Sequence, residues 1–244
     1  MFYLGGVHAV HQMLVRYPRH VKMVWLMHQS QHAAVFEASC REHGVKLAYC
    51  DKRQLDLWMP DVQHQGVAAA YEQLPSLGLE DLCTQAFQRT NQPLFLMLDH
   101  IQDPQNLGAC LRSAAAFGVD GVIVPKDRAV GITPTVLKVA VGAAAIVPVV
   151  RVNNLARAMR QLKDLGCWFY GTAESASECL SSADVSVPLV WVMGNESKGL
   201  SKNVMDTCDA LYAIETGAFS TLNISVSTGI VLHATATKRQ SLSK

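Results

Sequence analysis

Residues 103–118 read DPQNLGACLRSAAAFG, a helix-forming run carrying three residues with no evident packing purpose, Asn106, Gly108 and Arg112. At 3.6 residues per turn, Asn106 and Arg112 stand about 240° apart and share no face. Gly108, one turn before Arg112, leaves bare surface on the arginine's side. Helical side chains lean toward the N-terminus. Arg112 is therefore expected to lie over Gly108 and bring its guanidinium near the helix start, where Asn106 sits. A helix start already favours an anion. A guanidinium beside a carboxamide there offers several donors to a phosphate or a developing oxyanion. The same residues admit a structural account, in which Arg112 pairs with a carboxylate and Asn106 caps the helix.

Such a cluster needs a scaffold. From Pro93 onward the apolar runs LFLMLD, GVIVP, IVPVVRV, CWFYGTA, PLVWVMG and LYAIE are separated mostly by helical patterns, notably TPTVLKVAVGAAA and NLARAMRQLKDLG. A long helix is predicted from about Leu222 toward the C-terminus. Short, wholly apolar strands between helices mean an α/β fold with a parallel sheet covered on both faces. Ligands of such sheets gather at the C-terminal ends of the strands. Three of those ends carry glycine or small polar residues: Gly171 and Thr172; Gly194, Asn195, Glu196 and Gly199; and the run ETGAFSTLN. Glycine lets backbone approach a ligand closely. Strand-to-helix turns use Gly and Asn in any case, but three along one edge favour a pocket. No GxGxxG follows a strand and no GxxxxGK[ST] occurs, so the common nucleotide loops are missing. The pocket is expected to recognise its ligand through main-chain groups.

The N-terminal part alternates too. Helical VHAVHQMLVRYP leads to the strand VKMVWLMHQ, then to a helix in SQHAAVFEASCREHG with Ser30 as start cap and Gly44 as end cap. Strands VKLAYC and GVAAAY frame a short helix near KRQLDLW. Residues 1–72 therefore read as a small α/β domain. Pro75 and Gly78 in EQLPSLGLEDL break the periodicity, which places a connector at 73–92 and a second domain at 93–244.

Composition narrows the class. Half of the 244 residues are hydrophobic and 17% are charged, as in a well-cored globular protein. The apolar runs are too short to cross a bilayer, and MFYLGGVHAV is no secretory leader. Seven cysteines without a CxxC pair read as reduced thiols of a cytoplasmic protein. His28 and His32 stand four apart without HExxH chemistry, so no metal site is expected. Net charge is +1, yet Lys126–Lys163 holds seven Lys or Arg against one acid, Asp127. A basic face of that kind can meet phosphate.

NLGACLRSA, VMGNESKGLS and STLNISVSTGI, in this order, resemble the three motifs of the SpoU (TrmH) branch of the SPOUT RNA methyltransferases. GGVHAV and HQGVAAAY resemble that branch's small, ribosomal-protein-like substrate-binding domain, so the likeness spans nearly the whole chain. The resemblance implies a knotted α/β C-terminal domain, an exception to the rule against threading. It also implies S-adenosylmethionine as cofactor, held near Thr172, Gly194, Ile214 and Leu222, and a homodimer formed through the C-terminal domain. The implied reaction is methylation of a guanosine ribose 2′-oxygen in 23S ribosomal RNA. Where the family commonly has Pro-Met, this chain has Glu215 and Thr216, and Thr221 replaces a Ser. Glu215 is expected to face solvent.

Under that resemblance Asn106, Arg112, Glu196 and Asn223 are the expected site residues. A guanidinium resists deprotonation. Arg112 is therefore expected to bind the ribose oxygen or an adjacent phosphate and stabilise charge in the transition state. Asn106 would position Arg112 or the ribose, Glu196 would orient partners in the second motif, and Asn223 with Thr221 would form a third wall. Arg16, Arg19, Lys22 and Arg53 are candidate RNA contacts. A transfer-RNA ribose methyltransferase of the same branch, and a non-catalytic ribosome-assembly factor, remain open as alternatives.

Overall fold

The computed structural model describes residues 2–60, 62–72, 77–195, 198–217 and 221–242. The chain divides into two units, one of Met1–Pro75 with Ala140–Ile146, the other of Ser76–Val139 with Val147–Lys244.

The first unit runs β1 (Phe2–Gly5), α1 (Val7–Arg16), β2 (Val21–Met27), α2 (Ala33–His43), β3 (Leu47–Cys50), α3 (Lys52–Trp58) and β4 (Val67–Tyr71). Its sheet has the order β1-β4-β2-β3, with β4 antiparallel to both neighbours and β2 parallel to β3. One set of buried residues, among them Leu4, Val24, Leu26, Val67 and Ala69, packs with Met13 and Leu14 of α1 and Phe36 of α2. Alternation sends Trp25 and Ala68 to the other side, with Leu55 and Trp58 of α3. There Tyr3 stacks on Trp58, ring centroids 5.9 Å apart. Gly44 ends α2 in the left-handed conformation at φ 67. Ser30 does not cap its start: the cap position is His32, whose N–H donates to the Ser30 hydroxyl.

The second unit contains α4 (Leu79–Arg89), β5 (Leu94–Leu98), α5 (Pro104–Ala116), β6 (Gly121–Pro125) and α6 (Pro134–Ala140). After α7 (Ala143–Ile146) come β7 (Val149–Val152), α8 (Leu155–Asp164), β8 (Trp168–Thr172), β9 (Glu178–Cys179), β10 (Leu189–Met193), α9 (Lys202–Met205), β11 (Ala210–Ala213) and α10 (Ile224–Leu242). All six apolar runs read as strands are strands. They form, with β9, a parallel sheet of order β7-β6-β5-β10-β8-β11-β9. Phe95, Met97, Val190 and Val192 turn to α4 and α8. The intervening Trp191 turns to α10, where its indole N–H donates to the Thr235 hydroxyl at 2.8 Å.

Two further expectations need correction. Residues 79–89, placed in the connector, form α4, whose Leu82, Cys83 and Ala86 are buried in the second unit's core. TPTVLKVAVGAAA is not one helix: it breaks at Val141 (φ 47) and Gly142 (φ 87), and α7 packs with the first unit. A side chain at Gly142 would stand 2.3 Å from the Ala9 Cβ, so only glycine fits that approach.

The Thr235 hydroxyl also donates to the Val231 carbonyl, leaving both partners satisfied in a buried environment. Thr235→Val keeps the shape and strands the Trp191 N–H, at an expected cost of about 1–3 kcal/mol. Urea unfolding followed by tryptophan fluorescence measures it; an unchanged midpoint would show that the bond contributes nothing net.

Candidate active site

Helix α5 starts where its sequence says it should. Asp103 is the cap residue and accepts a hydrogen bond from the Gln105 N–H at 2.9 Å, with Pro104 in the first turn. The cap is thus Asp103 and not Asn106. Leu107, Cys110, Leu111 and Ala114 are buried. A second stripe of α5 faces α10: Cys110 meets Thr228, Ser113 approaches Gly229, and Phe117 packs edge-on against His233.

Asn106 opens that stripe. Its Oδ1 accepts a hydrogen bond from Asn223 Nδ2 at 3.1 Å, across 117 residues of sequence. Asn223 is itself fixed, because its Oδ1 accepts from the Ser225 N–H and hydroxyl at 2.8 and 2.6 Å. The first and third motifs therefore meet at a carboxamide pair. Arg112 is exposed, stands off the α10-facing stripe, and has no hydrogen bond or ion pair with any described residue. Among the described residues, no carboxylate pairs with its guanidinium.

The second motif is tied to the same end of the sheet. Asn195 and Gly199 exchange backbone hydrogen bonds of 3.0 and 2.8 Å, closing a tight loop after β10. Gly194 is indispensable there: a Cβ would lie 2.3 Å from Gly199 C and 2.4 Å from Leu200 N. Asn195 Nδ2 donates to the His100 carbonyl at 3.1 Å. Asp99, only 1% exposed at the end of β5, accepts from the Ser201 N–H at 2.7 Å and pairs with His100. Sequence reading passed over Asp99 and His100. The available signal was a carboxylate closing the wholly apolar run LFLML. Glu196 lies outside the described residues.

Three of the four expected cofactor positions lie at one rim of the sheet. Strands β10, β8 and β11 are parallel neighbours, so their C-terminal ends emerge together, and Thr172, Gly194 and Ile214 stand at or just beyond them. Leu222 precedes α10 by two residues. Thr172, Ile214 and Leu222 are half-buried and uncharged, and Thr172 Oγ1 points at Met193 Sδ, 3.8 Å away. Half-buried, uncharged surface of this kind suits a ligand bound largely through main-chain groups. Glu215 is exposed and accepts from the Ser181 N–H at 3.3 Å. Those hydrogen bonds hold its carboxyl below the usual range. It faces solvent, as expected.

Among the candidate RNA contacts, Arg16 is occupied, donating to the Ile146 carbonyl within the first unit. Lys22 pairs with Glu72 at 3.1 Å. Arg19 and Arg53 are exposed and have no partner among the described residues.

Burial quiets four of the cysteines. Burial pushes the thiols of Cys167 and Cys208 up to about 12 and those of Cys40 and Cys83 up to about 11. A thiol raised that far stays protonated and unreactive at neutral pH. None of the seven forms a disulfide, and Cys179 alone is exposed. A dithiobenzoate reagent at pH 8 is expected to titrate one thiol rapidly, and Cys179→Ser to remove that phase. A second fast thiol in the native protein would contradict this. No group of three metal-ligating side chains occurs among the described residues, and none of their helices is long and apolar enough to cross a membrane.

Comparison with known proteins bears on this arrangement. The model of the SpoU rRNA Methylase family matches residues 93–233, and one described as RNA 2'-O ribose methyltransferase substrate binding matches residues 3–77. The 23S rRNA (guanosine-2'-O-)-methyltransferase RlmB of Pseudomonas putida is 40% identical over 239 residues, covering 96% of either chain. The protein of the same name from Nitrosomonas europaea is 41% identical over 237 residues, 96% of this chain and 90% of its own. The crystal structure of the SpoU methyltransferase AviRb from Streptomyces viridochromogenes in complex with AdoMet superposes with a TM-score of 0.75. It covers 98% of this chain and 91% of its own at 24% identity, a likeness of fold.

Proposed function

The chain belongs to the SpoU rRNA Methylase family, and from that membership we propose that it methylates the ribose 2′-oxygen of a guanosine in 23S ribosomal RNA, using S-adenosylmethionine. The observation that supports the assignment of the site is the Asn223–Asn106 hydrogen bond, which joins the first motif to the third on the helix that also carries Arg112. The bound cofactor supplies an electrophilic methyl group on a sulfonium. Thr172, Gly194, Ile214 and Leu222 would hold it at the rim of β10, β8 and β11.

The chain's own part is alignment and charge. Alignment of two bound reactants is worth about 7–11 kcal/mol of barrier in favourable cases. Asn106 and Asn223 fix the wall against which the ribose rests. Arg112 donates to the ribose oxygen or its phosphate and stabilises negative charge developing on the oxygen. Glu196 would orient its neighbours in the second motif.

The division of labour follows the two family matches. The N-terminal domain, about residues 1–72, binds the RNA substrate, and residues 93–244 carry methyl transfer. Arg19 and Arg53 are its RNA contacts, since RNA is read largely through backbone and single-stranded elements. A knotted C-terminal segment is supported by the strand order, in which the late strand β10 lies between β5 and β8. A homodimer through the same domain is supported by Val226 and Ile230, exposed apolar residues one turn apart on α10. We place the protein in the cytoplasm, with its substrate.

Mapping 2′-O-methyl groups in ribosomal and transfer RNA from cells with and without the protein tests the proposal. One guanosine mark lost from 23S RNA is the expected result. A mark lost from transfer RNA would move the substrate, and no lost mark in either would defeat the enzymatic reading.

A further inference from the structure

A cavity of about 500 Å³ opens at the edge of this site, bordered by the turn after β5, the segment after β6 and the loop after β10. His100, Arg128 and Lys198 line it from these three separate segments, together with Gln102 and Asn195. Its volume is that of a ligand pocket.

Charge decides what the cavity suits. Two carboxylates border it, and both are already engaged: Asp99 by Ser201 and His100, Asp103 by the Gln105 N–H. Arg128 and Lys198 are exposed, and neither has a hydrogen bond or ion pair with a described residue. The lining carries two cations and two carboxylates, but no ion pair joins Arg128 or Lys198 to Asp99 or Asp103, so both cations are open to a bound anion. The backbone points the same way. His100 (φ 60) and Arg128 (φ 55) both adopt the left-handed conformation that is unfavourable for a non-glycine residue. That strain sits at two of the residues that give the cavity its donors.

We propose that this cavity seats a backbone phosphodiester of the RNA strand next to the methylated nucleotide, gripped by Arg128 and Lys198 with His100 and Gln102 as further donors. The inference rests on the chain being an RNA methyltransferase. Position supports the RNA as the source of the anion: Asp103 on the cavity wall begins the helix that carries Asn106 and Arg112, and Asn195 belongs to the second motif.

The test uses the full-length chain, in-vitro transcribed 23S RNA and the variants Arg128→Gln, Lys198→Gln, their double, and His100→Asn, asparagine tolerating the left-handed backbone. RNA affinity is measured between 50 and roughly 300 mM KCl, the range over which phosphate contacts reveal themselves. The double variant is expected to bind at least about tenfold more weakly at low salt. Its plot of log affinity against log salt should be flatter by about one, with cofactor affinity and melting temperature unchanged. His100→Asn should lose affinity without altering the slope as strongly. An unchanged slope and affinity in the double variant overturns the proposal. So does lost cofactor affinity with RNA binding intact, which would place the cofactor's carboxylate in the cavity. A wild-type chain that neither binds nor methylates the RNA defeats the enzymatic assignment instead, so the two failures are distinguishable.

Discussion

Replacing Arg112 with alanine is expected to lower methyl transfer by about 10²–10³-fold, the usual loss when one donor to a developing oxyanion is removed. Cofactor affinity, measured calorimetrically, should stay within about twofold, because Arg112 lies on α5 and not on the rim formed by β10, β8 and β11. Stability should not change, since the side chain is exposed and unpaired among the described residues. Arg112→Lys restores the charge but not the planar fork of donors, so it should recover only part of the rate. A parallel fall in cofactor affinity and methyl transfer would show that Arg112 shapes the fold of the site. Undiminished transfer would remove it from the chemistry altogether.

The second large effect concerns a residue with no side chain. Gly194→Ala puts a methyl group 2.3 Å from Gly199 C. That neighbour is backbone and cannot rotate away, unlike the end of a flexible side chain. The Asn195–Gly199 loop must open or β10 must shift, at an expected cost of about 3 kcal/mol, the upper part of the range for overpacking. Because Gly194 also borders the cofactor rim, cofactor binding should fall with stability. Gly217→Ala is the control: it follows β11 at the same end of the sheet, nothing lies within 4 Å of its added Cβ, and it should be neutral within about 0.5 kcal/mol. Thermal melts with and without S-adenosylmethionine separate the two losses. If Gly194→Ala melts like wild type, the crossing at this point is looser than its geometry indicates.

Much of this architecture is legible before any coordinate is seen, for physical reasons that also mark where legibility ends. A strand sandwiched between helix layers must be apolar at every position, so β5, β6 and β10, buried throughout, announce themselves as runs. Strand β1 does not. Its four residues FYLG become a strand only by pairing with β4, and Phe2 aligns with Tyr71 far along the chain. Helix α4 is hidden by Pro75 and Gly78, local breakers that say nothing about the core Leu82 reaches. The site shows the same contrast. Motif order brings Asn106, Arg112 and Asn223 to notice. The bond between the two asparagines depends on how α5 and α10 pack, and no local spacing encodes it.

The short α7 segment has a practical bearing on anyone who would transplant the first unit onto another protein. Ala145 is built into the interior formed by Met13, Leu14 and Val67, and the Ile146 carbonyl satisfies Arg16. A gene cut once, near codon 75, would yield a graft missing a plug from its own interior, and a remainder with an orphaned greasy turn. A workable chimera has to carry two separate stretches of coding sequence, or supply residues 140–146 through an engineered linker.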